Sequence, residues 1–395
     1  MAADLVYDPY DYEIDADPHP VWKRMRDEAP LYYNAEHDFY ALSRFEDVLA
    51  ASVDHETYCS NRGTVLELMD APMQDPPMIF MDPPRHTHFR KLVRKTFTKQ
   101  QIGKLEGRIR ELCRGYLEPF VGAGGFDYVE DFGAKLPVMV ISSLLGAPEE
   151  DQEQLRIWSD LTLHREPGET GPSAAARAAT SEMWSYWQGQ IKERRARPRD
   201  DVMSQLIQAE LELEDGGTRR LSDGELYAFY LLISSAGNET VARFLGNTAT
   251  LLAWHPAERA KLVADPGLIP NAVEEILRFE SPSPIQARWV TRDVEIHGQV
   301  VPGDSKMALL TSSANRDERE FPDADRFDVA RKIDRHVALG FGIHFCLGAS
   351  LARLETRVSI DETLRLFPTW EVDEAGLRRV HTSTVRGYNK VPITC

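Results

Sequence analysis

Cysteine is scarce in this 395-residue chain: there are four, Cys59, Cys113, Cys346 and Cys395, and no C-x-x-C pair. That spacing excludes a dense disulfide framework and a cysteine-built zinc site, and it fits a reducing cytoplasm. Basic charge is in deficit too, with 46 Lys and Arg against 63 Asp and Glu and a formal net charge of -17. Such a balance argues against a general nucleic-acid binder and against adsorption on an anionic membrane. Long apolar runs are missing. The most apolar stretch, Leu226 to Ala236, has about half the residues that a bilayer crossing needs. The first residues, Met1 to Pro9, are acidic and carry neither a basic n-region nor an apolar h-region, so no secretory signal is expected. With 42% hydrophobic and 28% charged residues the chain has an ordinary globular composition. Length alone would allow two or three domains, yet no linker divides the chain, and a single domain over 1–395 is expected.

What is present centres on Phe341-Gly342-Ile343-His344-Phe345-Cys346-Leu347-Gly348-Ala349. From Leu347 onward the apolar positions 347, 351, 354 and 358 recur at helical spacing, so Cys346 sits where a glycine-loosened loop enters a helix. Unpaired N–H groups and the helix dipole at such a start favour a thiolate and predict a lowered thiol pKa. Gly342 and Gly348 lack Cβ, which would let the backbone pass close to a flat ligand. For a lone cysteine the ordinary role is inert packing; the flanking glycines argue otherwise. A Cys–His nucleophile using His344 has poor geometry, the two being two residues apart in a loop.

This loop resembles that of the cytochrome P450 family, whose haem-thiolate segment reads Phe-Gly-x-x-x-Cys-x-Gly, matched by Phe341, Gly342, Cys346 and Gly348. The resemblance implies that Cys346 is the axial ligand of haem b iron, with His344 near a propionate. Asp82-Pro83-Pro84-Arg85-His86, continuing through Arg90 to Lys95, reads as a basic helix opened by prolines. His86 and Arg90, one turn apart, share a face suited to an anion. In the family a similar segment holds the propionates, and Arg288 matches a further arginine of that kind. Iron ligation by His86 or His88 is an alternative, disfavoured by the better site at Cys346.

Asp223 to His255 reads as one long buried helix, capped by Ser222 or Asp223. It contains Ala236-Gly237-Asn238-Glu239-Thr240, where a mid-helix glycine costs about 1 kcal/mol and a buried Glu and Thr need partners. The family motif Ala-Gly-x-(Asp/Glu)-Thr implies that Gly237 makes room for dioxygen and that Thr240, with Glu239, delivers protons. A salt-bridged Glu and a Thr bonded to its own helix are the plain structural reading. Glu275 and Arg278, joined to Arg326, resemble the family's buried Glu-Arg-Arg triad. Seven cations and no acid lie between Arg85 and Lys104; Lys91 and Lys95 on that run are expected to face an acidic partner.

Elsewhere the periodicity gives helices near 20–28, 45–52, 105–118, 136–145, 150–163 and 174–195, a hairpin at 31–33 and 39–42, and short strands within 287–301, 306–310 and 385–393. The methionines Met69, Met73, Met78 and Met81 serve equally as packing or as a pliable substrate wall. In the family a helical pair in this region lids the cavity, and Trp184 and Trp187 serve either as lid or as core, core being the preferred reading. The expectation is therefore a mainly α cytochrome P450 fold with small peripheral β-sheets, haem lying between the long helix and the cysteine loop. The implied activity is a cytoplasmic monooxygenase. It would insert one atom of O2 into a small hydrophobic organic substrate, using NAD(P)H electrons relayed by a separate acidic ferredoxin and its reductase. A peroxide-driven peroxygenase and a non-catalytic haem sensor or carrier are the alternatives; no nucleic acid or membrane is expected as a partner.

Overall fold

The computed structural model describes residues 5–70, 75–94, 97–163, 173–213, 216–382 and 384–395. Helices dominate, and the longest, Asp223–Trp254, runs through the largest apolar cluster. Its start is fixed by a capping box: Ser222 accepts from the Glu225 N–H, and the Glu225 carboxylate accepts from the Ser222 N–H. Most of its residues are buried, because the helices Lys135–Leu145, Gln152–Leu163, Ala174–Ala196 and Ala349–Leu366 pack around it. A helix apolar on nearly every side is stable only in such a position. Among the described residues no helix is long and apolar enough to cross a membrane.

The expected hairpin forms as Leu31–Asn34 and Phe39–Leu42, paired antiparallel. It belongs to a five-stranded sheet that continues through Ser305–Leu309 and Gln286–Val290 to Tyr58–Cys59. Two smaller apolar clusters pack on this sheet. Its strand Gln286–Val290 brings Arg288 toward the interior, where the side chain is 6% exposed.

Several boundaries differ from the periodicity reading. The basic helix covers Arg85–Val93 only, and Lys95 lies outside the described residues, as does Met73. Met69, Met78 and Met81 are buried packing residues. Trp187 is core, whereas Trp184 is 39% exposed and lies against Tyr227. A hairpin of Glu210–Glu212 and Thr218–Arg220 was not foreseen, since its exposed, charge-rich strands show little apolar alternation.

Candidate active site

The cysteine loop is held by backbone geometry. Gly340 and Gly342 have φ of +70° and +67°, a region that favours glycine. A Cβ on Gly342 would meet the Ser52 carbonyl oxygen at 2.7 Å, so this glycine serves the turn and close packing on the Phe45–Val53 helix. That replaces the expectation that Gly342 clears a face for a flat ligand. The Cys346 N–H donates to the Leu339 carbonyl at 2.8 Å, and Gly348 leads directly into the Ala349–Leu366 helix. Burial pushes the Cys346 thiol up, outweighing the Gly348 N–H, Arg90 and Arg353, which act the other way. The expected lowering is therefore not found in the protein alone, where desolvation outweighs these neighbouring groups. A coordinated metal ion removes that obstacle by taking the proton's place.

Around the loop stand polar groups that lack acceptors. His86 is 2% exposed, and neither ring nitrogen has a hydrogen-bond partner; Nε2 of His344 is likewise buried and unpartnered. Their ring centroids are 4.3 Å apart. Burial, reinforced by neighbouring cations, lowers His86 to about 4 and His344 to about 2. Arg288 donates to the adjacent Ala287 carbonyl at 2.7 Å, and burial lowers it to about 10. Arg90 donates to the Phe345 carbonyl, tying the basic helix to the cysteine loop. Phe341 and Phe345 are exposed at the rim. The carboxylate near Arg288, Asp82, is engaged by the Ser60 and Asn61 N–H groups, so the unpartnered ring nitrogens present the chemistry that two carboxylates would complete.

On the central helix, Ala236 is exposed, and Ser235, Gly237 and Thr240 are half-buried, within a helix otherwise largely enclosed. A Cβ on Gly237 would lie 2.9 Å from Ile141 Cδ1, so this glycine is explained by helix packing, and the exposed small residue of the turn is Ala236. Thr240 Oγ1 donates to the Ala236 carbonyl at 2.7 Å. Glu239 is turned from that face: it is 3% exposed and accepts from Arg243 Nη2 at 2.7 Å. The plain structural reading of both residues is thus realised in this resting arrangement.

The Glu-Arg-Arg triad exists with one change of member. Glu275 and Arg278, both fully buried, pair at 2.7 Å, and the second arginine on Glu275 is Arg331, at 3.2 Å. Arg326 instead lies 64% exposed and pairs with Asp328 at 3.2 Å. Sequence gave no way to choose between two arginines five residues apart in an irregular segment. It also gave no sign of Arg156 and Asp160, which meet Glu239 and Arg243 from the Gln152–Leu163 helix. Among the described residues no group of three or more His, Cys, Asp or Glu is arranged to hold a metal.

Comparison with known proteins decides the family. Residues 267–384 match the family model described as Cytochrome P450. Cytochrome P450 123 of Mycobacterium tuberculosis is 41% identical over 99% of this chain and 97% of its own length. The chain belongs to the cytochrome P450 family. A vitamin D(3) 25-hydroxylase of Pseudonocardia autotrophica is 37% identical over 95% of this chain and 93% of its own. The fold matches CYP109E1 of Bacillus megaterium, solved in complex with corticosterone, at a TM-score of 0.85 and 31% identity, covering 97% of this chain and 99% of that one. As a cytochrome P450 the protein is a monooxygenase that binds haem b through a cysteine. The thiol, the buried donors and the exposed Ala236 turn fit that group.

Proposed function

We propose that Cys346 is the cysteine that ligates haem, that His86, Arg90, Arg288 and His344 receive its propionates, and that Thr240 with Glu239 conducts protons to the reacting face. The observation that carries this reading is the set of buried, partnerless donors at His86 and His344 beside Arg288. Haem with a thiolate ligand supplies the activation of dioxygen, the sulfur donating electron density that favours O–O cleavage. The chain's part is binding and proton management. Phe341 and Gly348 frame the loop, and Gly237 lets the central helix approach Ile141 so that Ala236 and Thr240 present a compact face. The Thr240 hydroxyl both accepts and donates, so release from the Ala236 carbonyl frees it to pass a proton on.

The substrate class is a small hydrophobic organic molecule, supported by relatives named for vitamin D(3) and solved with corticosterone. Electrons come from NAD(P)H through a separate acidic ferredoxin and its reductase, and the whole chain acts as one domain. All four cysteines are free thiols, the state that a reducing cytoplasm maintains. The Glu239–Thr240 pair argues against a peroxide-driven peroxygenase, which needs no proton relay, and against a carrier without chemistry. The deciding experiment is the spectrum of the reduced protein with carbon monoxide. The parent gives the far-red-shifted Soret band of a thiolate ligand, and Cys346→His abolishes it; survival of the band in that variant overturns the assignment.

A further inference from the structure

A cavity of about 490 Å³ lies on the side of the central helix to which Glu239 turns, lined by Glu130, Arg156, Asp160, Glu239 and Arg243 with Val380 and Asn389. Asp160 is 36% exposed in this space, whereas Glu239 is 4% exposed, so the two mark a step from wetter to drier surroundings. The charges do not balance. Arg156 reaches Glu153 at 2.8 Å and Asp160 at 2.6 Å, while Arg243 reaches Glu239 at 2.7 Å and lies 3.8 Å from Asp160. Three carboxyl groups thus share two guanidinium groups. Glu130, the other acid of the lining, is paired with Lys390 at 2.9 Å. Arg243 Nε is buried without a partner, although its Nη1 donates to the Tyr388 carbonyl at 3.0 Å.

Carboxyl groups crowded beyond their cations keep a proton. Burial and the neighbouring Glu239 push Asp160 up, while Glu239 is held down by Arg243 despite its burial. We propose that Asp160 is the proton reservoir behind Glu239, a positioning residue that hands its proton to the Glu239 carboxylate and is recharged from water in the cavity. The transfer balances: the Asp160 O–H breaks as the Glu239 O–H forms, Asp160 becomes the carboxylate between the two arginines, and a hydronium proton from solvent restores it. The inference rests on the Glu239–Thr240 relay of the proposed function.

The test begins with infrared spectra of the holoenzyme at pH 7 in H2O and D2O. It is done in a Glu355→Gln background, because Glu355 is a second buried carboxyl that stays neutral. The parent shows a protonated carboxyl band that Asp160→Asn removes and Glu130→Gln leaves in place. Ferredoxin-driven NAD(P)H oxidation then falls by about tenfold or more in Asp160→Asn, with loss of the parent's pH profile, and Asp160→Glu restores both. An unchanged infrared band, or parent rate and pH profile in Asp160→Asn, overturns the proposal. The carbon monoxide band separates this failure from loss of the haem site, since no variant here alters it. If Glu239→Gln slows oxidation and Asp160→Asn does not, Asp160 alone is wrong; if neither does, the Glu239 relay falls with it.

Discussion

Two buried polar clusters of this molecule differ in how they are satisfied. Glu275 accepts from Arg278 at 2.7 and 2.9 Å, from Arg331 at 3.2 Å and from the Asp328 N–H at 3.0 Å. Arg278 spends a further nitrogen on the Asn315 and Ala324 carbonyls, each at 2.9 Å. The cluster is closed, and its groups hold the Ile269–Phe279 helix to the irregular segment that precedes the cysteine loop. His86 is buried to a similar degree and His344 partly so, yet both ring nitrogens of His86 and Nε2 of His344 lack partners, and Arg288 beside them donates to the adjacent Ala287 carbonyl. Both clusters are folded chain, but only the second needs a ligand to complete its hydrogen bonding. Dissatisfaction, more than burial or charge, separates a binding site from a structural brace.

Breaking the brace is expected to have the largest effect. Glu275→Ala leaves buried arginines uncompensated and lowers stability by about 3–5 kcal/mol, read as a shift of the urea midpoint. His86→Phe removes no protein hydrogen bond, so the cofactor-free protein unfolds within about 1 kcal/mol of the parent. Its haem affinity falls by about 10- to 100-fold, the equivalent of one or two hydrogen bonds to a charged group. Equal destabilisation of the cofactor-free protein by both changes would erase the distinction.

The same contrast shows what sequence carried and what it did not. Loop and helix at Cys346 were legible because glycine spacing and helical periodicity are local signals. The long helix was legible because a continuous apolar run with a capping serine admits few alternatives. Arg331 was not, because choosing it over Arg326 depends on the path of a segment without periodicity, and Asp160 was not, because it meets Glu239 only when two helices pack. The thiol pKa was misjudged for a related reason: the helix dipole is visible in sequence, whereas desolvation is set by everything that packs around the sulfur.

Glu355 extends the comparison to a carboxyl that is buried, 1% exposed, and without a partner on either oxygen. Facing it are the Cys113 thiol and, one turn along its own helix, Ser359, which lies 3.8 Å from that thiol. Burial pushes Glu355 up to about 8, above an unfolded value near 4.3. The folded state therefore holds an extra proton between these limits. Stability from this group is fully present below about pH 4.3 and declines as pH rises to about 8, with a slope approaching 1.4 kcal/mol per pH unit. Glu355→Gln flattens that slope and stabilises the protein at pH 8, as thermal unfolding across pH measures. Glu275, paired with two arginines, gives no such gain when changed to Gln.

The smallest expected effect concerns the basic run, where partnered and unpartnered charges again lie side by side. Arg85 pairs with Glu225 at 3.2 Å and Lys91 with Glu212 at 2.8 Å, so among the described residues these two cations of the run have carboxylate partners. Lys91 and Glu212 are each 61% exposed, and a pair so exposed is worth about 0–1 kcal/mol. Its charge is nevertheless offset locally, which weakens the field that it presents to an approaching acidic protein. Arg94 follows one turn after Arg90, is exposed, and has no ion-pair partner among the described residues. If the ferredoxin docks on this side of the cysteine loop, Arg94→Glu slows reduction severalfold at low salt and Lys91→Glu slows it less. The difference shrinks as salt is raised, because screening acts over about 10 Å at 0.1 M. Stopped-flow reduction with ferredoxin, set against dithionite as a partner-independent control, measures both variants. Equal rates for parent and Arg94→Glu at low salt would move the docking face away from the basic helix.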